Sequence, residues 1–141
     1  MVILDDYLSQ IDNFILTSIE KFTSENKPPS SIGIYCCPWA GWLTTNFNTS
    51  KTLEETENNC PDFEFVEFDF LELGKWQEEY EKDLPTFKIS ETVTNHNHNL
   101  GDEKLNELVF KFLETIATKI KLKFQQEILL QMLDSNCIKV L

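Results

Sequence analysis

The chain has 141 residues, of which 41% are hydrophobic and 26% charged, so its composition is that of an ordinary globular domain and excludes a collagen-like or wholly disordered protein. Its formal net charge of −12 comes from 24 acidic residues against 12 lysines, with no arginine. Nucleic acids and anionic membranes are bound by clustered basic residues, so the charge argues against both as partners.

The N-terminal segment predicts an amphipathic helix over residues 4–24. Its apolar residues recur at intervals of three and four and therefore share one helical face, at Leu4, Leu8, Ile11, Ile15, Ile19 and Phe22. Pro28 and Pro29 follow and exclude a longer helix. The first residues lack a basic region followed by an apolar stretch, and no apolar run reaches 18 residues. We therefore expect a cytoplasmic protein without a signal peptide or membrane span.

A β-hairpin is predicted next. Residues 32–37 are almost all apolar, which is typical of a buried central strand, and residues 42–47 form the returning strand. Residues 38–41 make the turn between them. Trp39 and Trp42 flank this turn, where a tryptophan either anchors a protein partner or covers the core.

Short elements are predicted between residues 52 and 101. Thr52 followed by Glu55 is a capping box and predicts a short helix. The phenylalanines of the strand at 63–70 change parity, which predicts a bulge or bend near Val66–Glu67. Residues 73–80 predict a second short helix, residues 86–89 an edge strand after a proline, and residues 91–101 a polar loop.

The C-terminal third predicts a helix with Asp102 as its N-cap. Its apolar face comprises Leu105, Val109, Phe112, Ile116, Ile120, Phe124 and Ile128. An unbroken helix over residues 102–133 would be about 48 Å long, which is long for so small a domain, so we expect a break near residues 121–124. Residues 137–141 are either a terminal strand or a disordered end.

These elements predict one α+β domain over residues 1–141. We expect a mostly antiparallel sheet of about four strands, with the N- and C-terminal helices packed on one face.

The negative charge is concentrated in residues 54–83. This segment has 12 acidic residues and two lysines, a net charge of −10, whereas the other 111 residues have 12 acidic residues and 10 lysines. A local negative surface accelerates association with a basic partner. The alternative is a solvated acidic surface that serves only solubility.

Catalytic and metal-binding patterns are sparse. His96 and His98 could hold a metal weakly with Asp102, but no further ligands occur at a suitable spacing, so we predict no metal site. Pairing of a cysteine with His96 as a nucleophile lacks any flanking signature. The cysteines also lack Cys-x-x-Cys spacing. We expect all four to be small, buried, reduced side chains of the core, and the alternative is zinc or redox chemistry. They are Cys36, Cys37, Cys60 and Cys137. We predict no cofactor, no catalytic residue and no enzymatic activity.

Several short motifs resemble those of a known class of bacterial proteins. They are Ile34-Tyr35-Cys36-Cys37-Pro38-Trp39-Ala40-Gly41-Trp42, Asn46-Phe47-Asn48-Thr49, Cys60-Pro61-Asp62-Phe63-Glu64-Phe65 and Trp76-Gln77-Glu78-Glu79-Tyr80. Together, and in the order of helix, sheet and helix over residues 1–120, they resemble small immunity proteins of polymorphic-toxin and contact-dependent growth inhibition systems. The resemblance implies a cytoplasmic protein that binds and blocks a toxin domain delivered by a sibling cell.

An acidic surface could occupy the basic cleft of such a toxin, for example a nuclease. We expect the partner-binding residues to be Glu54, Glu55, Glu57, Glu64, Glu67, Asp69, Glu72, Glu78, Glu79, Trp39 and Trp42. Binding should slow as salt rises, and reversing the charges of Glu64, Glu67 and Asp69 together should lower the association rate about tenfold or more. The alternatives are an acidic interaction module without a toxin partner and a small metal- or thiol-dependent enzyme. The oligomeric state stays open.

Overall fold

The computed structural model describes residues 1–141 and contains eight strands and three α-helices. In chain order they are β1 (Val2–Ile3), α1 (Leu8–Glu25), β2 (Ser31–Cys37), β3 (Trp42–Asn48), β4 (Phe65–Glu72), α2 (Gly74–Tyr80), β5 (Thr86–Ile89), β6 (Thr92–Asn95), α3 (Glu103–Phe124), β7 (Glu127–Met132) and β8 (Ile138–Val140). Single 3₁₀ turns lie at Leu4–Tyr7, Cys60–Asp62 and His98–Leu100. The α+β class is confirmed.

The strands form two mixed sheets rather than one antiparallel sheet of about four strands. The main sheet has the order β4-β3-β2-β7-β8, and a smaller sheet has the order β1-β5-β6. The pairs β2–β7 and β1–β5 are parallel, and the other pairs are antiparallel. The prediction missed the parallel pairing because β7 comes from residues whose apolar pattern continues that of the preceding helix.

Three of the four predicted helices are confirmed with small changes at their ends. The N-terminal helix begins as a 3₁₀ turn, and Leu8 lies at its exposed edge. Helix α3 ends at Phe124, inside the predicted break, because Gln125 adopts a left-handed backbone with φ of 59°. None of the helices combines the length and the apolar composition needed to cross a membrane.

Three local predictions were wrong. Strand β5 is the central strand of the small sheet, and the predicted loop at 91–101 contains its edge strand β6. Strand β6 was not predicted because most of its residues are exposed, so its sequence is polar like that of a loop. The hydroxyl of Thr52 does accept a hydrogen bond from the amide of Glu55 at 3.1 Å, but only turns follow, because Glu57 and Asn58 have positive φ angles.

The core lies between one face of the main sheet and helices α1 and α3. Strands β2, β3 and β7 contribute alternate buried residues to it, Ile32, Ile34, Cys36, Leu43, Phe47, Ile128, Leu130 and Met132. The helices contribute their apolar faces, with Ile15, Phe22 and Phe112 fully buried. This packing covers one face of the sheet and leaves the opposite face, hereafter the outer face, without a helix.

Gly41 is required where the β2–β3 turn meets α2. Its φ is +67°, and a Cβ there would lie 2.4 Å from the carbonyl oxygen of Leu73. We expect Gly41→Ala to lower the free energy of unfolding by about 2 kcal/mol, because it combines a left-handed backbone with a backbone clash. Urea denaturation measures this. Gly74→Ala is the matched control, since no atom lies within 4 Å of its Cβ position. Equal stability of the two variants would contradict the prediction.

Candidate functional site: the outer face of the main sheet

The strand register determines which side chains occupy the outer face. Paired strands place the following residues there: Ser31, Gly33, Tyr35, Cys37, Trp42, Thr44, Asn46, Asn48, Phe70, Glu72, Glu127, Leu129, Gln131, Ile138 and Val140. The set includes two glutamates and no lysine. The strands themselves therefore give this face a negative charge.

Residues 53–63 cover one end of the outer face. Leu53, Cys60 and Phe63 form a second, small apolar cluster with Leu129. The fit is close at Gly33, where an added Cβ would lie 2.8 Å from the Phe63 ring. Gln131 fastens the segment to the sheet, since it accepts a hydrogen bond from the Cys60 amide at 2.8 Å and donates one to Asn59 at 2.9 Å. We refer to residues 53–63 as the cover segment.

The uncovered end carries a row of three aromatic side chains. The rings of Tyr35 and Trp42 meet edge to face with centroids 5.5 Å apart, and Trp42 and Phe70 lie 5.9 Å apart. Phe70 is 49% exposed, and Ile138 is 44% exposed on β8. We call Tyr35, Trp42 and Phe70 the aromatic row. Tyr35 and Trp42 are half-buried. Partly exposed aromatic side chains grouped in this way are typical of protein interfaces.

Four carboxylates without a partner in the protein lie at the two ends of the outer face. Glu72 lies at the Phe70 end, directly opposite Trp42 in the strand pairing. Beside the cover segment, Glu54, Glu57 and Glu127 line a hollow of about 550 Å³ that also includes Val140. These four glutamates are exposed, and their carboxylates make no hydrogen bond or ion pair within the protein. They form the charged rim of the outer face.

The predicted bulge in the phenylalanine-rich strand is confirmed. The pairing of β3 with β4 shifts between Thr45 and Phe47, and Glu67 adopts a φ of 49°. Its amide donates a hydrogen bond to the buried side chain of Asn46 at 2.8 Å. The irregularity turns Phe65 toward the core while the Glu67 carboxylate stays exposed at the sheet edge.

Glu64 belongs to the predicted partner-binding set, but its carboxylate is engaged in hydrogen bonds within the protein. It accepts hydrogen bonds from the amides of Thr49, Ser50 and Lys51 at 3.1, 2.8 and 2.6 Å, and from the hydroxyls of Thr49 and Ser50. Burial alone raises the pKa of Glu64, but these hydrogen bonds outweigh it and lower the pKa to about 2. Glu64 therefore anchors the loop that leads into the cover segment.

Glu79 is likewise engaged within the protein. It is 5% exposed and lies 2.5 Å from the α-ammonium of Met1 and 3.0 Å from Lys82, and it accepts a hydrogen bond from the amide of Thr86. Burial raises the pKa of Glu79, but these donors outweigh it and lower the pKa below its ordinary value. Its charge ties α2 to β1 and β5.

The other predicted residues are scattered. Asp69 faces α1 and pairs with Lys21 at 3.2 Å, and Glu78 pairs with Lys75 at 3.3 Å on α2. Glu55 faces Thr52 within its own turn. The acidic segment thus forms several local structures instead of one continuous surface. Among the predicted carboxylates, those that are exposed and make no contact within the protein are Glu54, Glu57, Glu67 and Glu72.

The two turn tryptophans lie in different environments. Trp42 is half-buried in the aromatic row of the outer face, whereas Trp39 is half-buried against Tyr80 of α2, with centroids 6.4 Å apart. Sequence reasoning missed Tyr35 and Phe70 as companions of Trp42. Phe70 could have been found from its parity, since it falls two residues from Glu72 and so on the same face.

A polar cluster joins the small sheet to α3. The hydroxyl of Tyr80 donates a hydrogen bond to Asp102 at 2.8 Å, and buried His96 lies 3.1 Å from the same carboxylate. Burial, followed by this hydrogen bond, raises the pKa of Tyr80 to about 12. His98 packs edge-on against His96 and lies 3.0 Å from the carbonyl oxygen of Lys82. No group of three or more His, Cys, Asp or Glu side chains is placed to hold a metal ion.

The four thiols are free. Burial raises the pKa of Cys37 to about 11 and also raises the pKa values of Cys36, Cys60 and Cys137. At neutral pH these side chains are therefore protonated, which makes them weak nucleophiles.

Comparison with models of known protein families, with curated protein sequences and with solved structures found no match.

Proposed function

We propose that the protein is a binding protein that docks its outer face on a basic surface of another protein. The observation that carries the proposal is the aromatic row, which is partly exposed on a sheet face without a covering helix. Unpaired Glu72 lies beside the row, and three further unpaired glutamates lie at the other end of the same face. Aromatic side chains at the centre and charges at the edge are the usual composition of a protein interface.

The charge distribution favours one orientation for the encounter. Helix α3, on the opposite side of the sheet, carries five lysines against three glutamates, whereas the outer face carries no lysine on its strands. A basic partner is therefore attracted more strongly to the outer face than to α3.

We further propose that the partner is a toxin domain and that binding neutralises it, as the resemblance to immunity proteins implies. An acidic interaction module with some other basic partner is the second candidate, and the same surface supports it. Co-expression with the C-terminal domain of the protein encoded by the adjacent upstream gene separates the two. Rescue of growth together with co-purification supports the immunity role, whereas stable binding without rescue supports the second candidate.

Phe70→Ala is expected to weaken binding of the co-purified partner about tenfold or more, because it removes an exposed aromatic side chain from the proposed interface. Titration calorimetry measures the affinity. Leu122→Ala is the matched control, since Leu122 is a 74% exposed apolar side chain on α3. Equal affinities of the two variants would refute the assignment of the outer face.

Reversing the charge of Glu54, Glu57 and Glu72 together is expected to lower the association rate about tenfold at low salt and to leave little of its salt dependence. This set replaces Glu64, Glu67 and Asp69, because Glu64 and Asp69 make bonds within the protein and their reversal would also disturb folding. Stopped-flow mixing at several salt concentrations measures the rate. An unchanged rate would remove these carboxylates from the encounter.

A further inference from the structure

A small pocket opens at the Phe70 end of the aromatic row, where the main sheet meets α2. Its volume is about 190 Å³, and its walls are Ala40, Gly41, Trp42, Phe70, Glu72, Gly74 and Gln77. Two aromatic rings, a carboxylate and a side-chain amide therefore converge on one cavity. We call it the Trp42 pocket.

The walls of the pocket favour a cation. The rings of Trp42 and Phe70 both line the pocket, with a tilt of 34° and their centroids 5.9 Å apart. Aromatic rings attract cations through the negative π density of their faces. Glu72 stands opposite Trp42 in the strand pairing, and its carboxylate makes no bond within the protein. The adjacent Lys75 does not oppose a cation strongly, because it pairs with Glu78 at 3.3 Å.

The pocket also offers a neutral acceptor and an open entrance. The amide nitrogen of Gln77 donates to Glu81 at 3.3 Å, which leaves its carbonyl oxygen free to accept a hydrogen bond. No atom lies within 4 Å of the Cβ position of Gly74, so this wall does not narrow the mouth. Guanidinium is planar, weakly hydrated and rich in donors, so it suits two ring faces and two oxygen acceptors better than the compact, strongly hydrated ammonium of lysine.

We propose that the Trp42 pocket receives an arginine side chain of the basic partner, with the guanidinium against Trp42 and Phe70 and hydrogen-bonded to Glu72. This proposal rests on the proposed function, because the arginine belongs to the basic partner. The preference of the pocket for an arginine side chain can nevertheless be tested without any partner. An arginine held here would give the outer face a specific contact at the Phe70 end of the aromatic row, beyond the general attraction between opposite charges.

The test uses small arginine analogues and the whole protein. Nα-acetyl-arginine amide, its lysine counterpart and its uncharged isostere Nα-acetyl-citrulline amide are titrated separately, and the indole N–H signals are followed by NMR. The signals of Trp39, Trp42 and Trp76 are assigned by single Trp→Phe substitutions. We expect a saturable shift at Trp42 with the arginine analogue and about fivefold weaker binding of the citrulline analogue.

Two variants complete the design. Glu72→Gln is expected to weaken binding of the arginine analogue about fivefold, whereas Glu67→Gln, a matched change at an exposed carboxylate of the same strand outside the pocket, should leave it unchanged. Equal binding of arginine and citrulline, equal or tighter binding of lysine, no saturable shift, or no effect of Glu72→Gln would overturn the proposal. If the arginine analogue does not bind as expected but Phe70→Ala still weakens binding of the partner, only the arginine site is overturned. If Phe70→Ala has no effect on binding of the partner, the assignment of the docking face is overturned.

Discussion

Phe22→Ala is expected to lower the free energy of unfolding by about 3–5 kcal/mol, the cost of emptying a large aromatic site in a close-packed core. Phe22 is fully buried on α1 and lies at the centre of an aromatic cluster. Its ring stacks on Phe47 at 4.2 Å and meets Phe65 and Phe68 edge to face at 4.9 and 5.2 Å. The variant thus leaves a cavity bounded by three rings that are fixed to two strands and cannot close it.

Urea denaturation followed by circular dichroism measures this effect. Phe14→Ala is the matched control, because Phe14 lies on the same helix but is only half-buried at the edge of the core. We expect its cost to be less than half that of Phe22→Ala, since the loss grows with the size of the cavity left behind. Comparable losses for the two variants would contradict the central position given to Phe22.

The sequence predicts the elements next to Phe22 better than the arrangement of the sheets. The period of α1 and the apolar run of β2 are local patterns, and each was assigned correctly. The pairing of β2 with β7 joins residues about 96 positions apart, as in Ser31 with Glu127, and no local pattern encodes it. The end of α3 at the left-handed residue Gln125 could not be predicted either, because no glycine or proline occurs at that position.

The negative charge of the candidate site was predictable from the sequence, but its position on the fold was not. Counting charges located the acidic segment, yet the use of each carboxylate depends on donors far away in the chain or in loops. Glu79 is bound by the α-ammonium of Met1, and Asp69 by Lys21 of α1. The aromatic row has a similar origin, since Tyr35, Trp42 and Phe70 come from three different strands and meet only through their register.

Glu64→Gln is expected to destabilise the protein by about 2 kcal/mol at pH 7, because the hydrogen bonds that lower the pKa of Glu64 to about 2 stabilise its ionised form in the folded state and are weakened by solvent screening at this partly exposed position. The folded state holds the Glu64 carboxylate with three amides and two hydroxyls, and a neutral amide offers those donors a single, weaker acceptor. Because the same bonds anchor the loop before the cover segment, we also expect residues 53–63 to lose protection from hydrogen exchange.

The pH dependence of the free energy of unfolding shows whether the loss of stability in Glu64→Gln comes from the ionised carboxylate. The pKa of Glu64 is lower in the folded than in the unfolded state, so its contribution is complete above about pH 4.5 and is lost as the pH falls through about 2. The difference in stability between the wild type and Glu64→Gln should therefore shrink by about 1 kcal/mol between pH 7 and pH 3. Glu67→Gln, which removes an exposed carboxylate three residues away that makes no hydrogen bond within the protein, is the matched control. A difference for Glu64→Gln that is independent of pH would mean that the ionised carboxylate does not hold the loop, and the boundary between the covered and the open part of the outer face would then need another anchor.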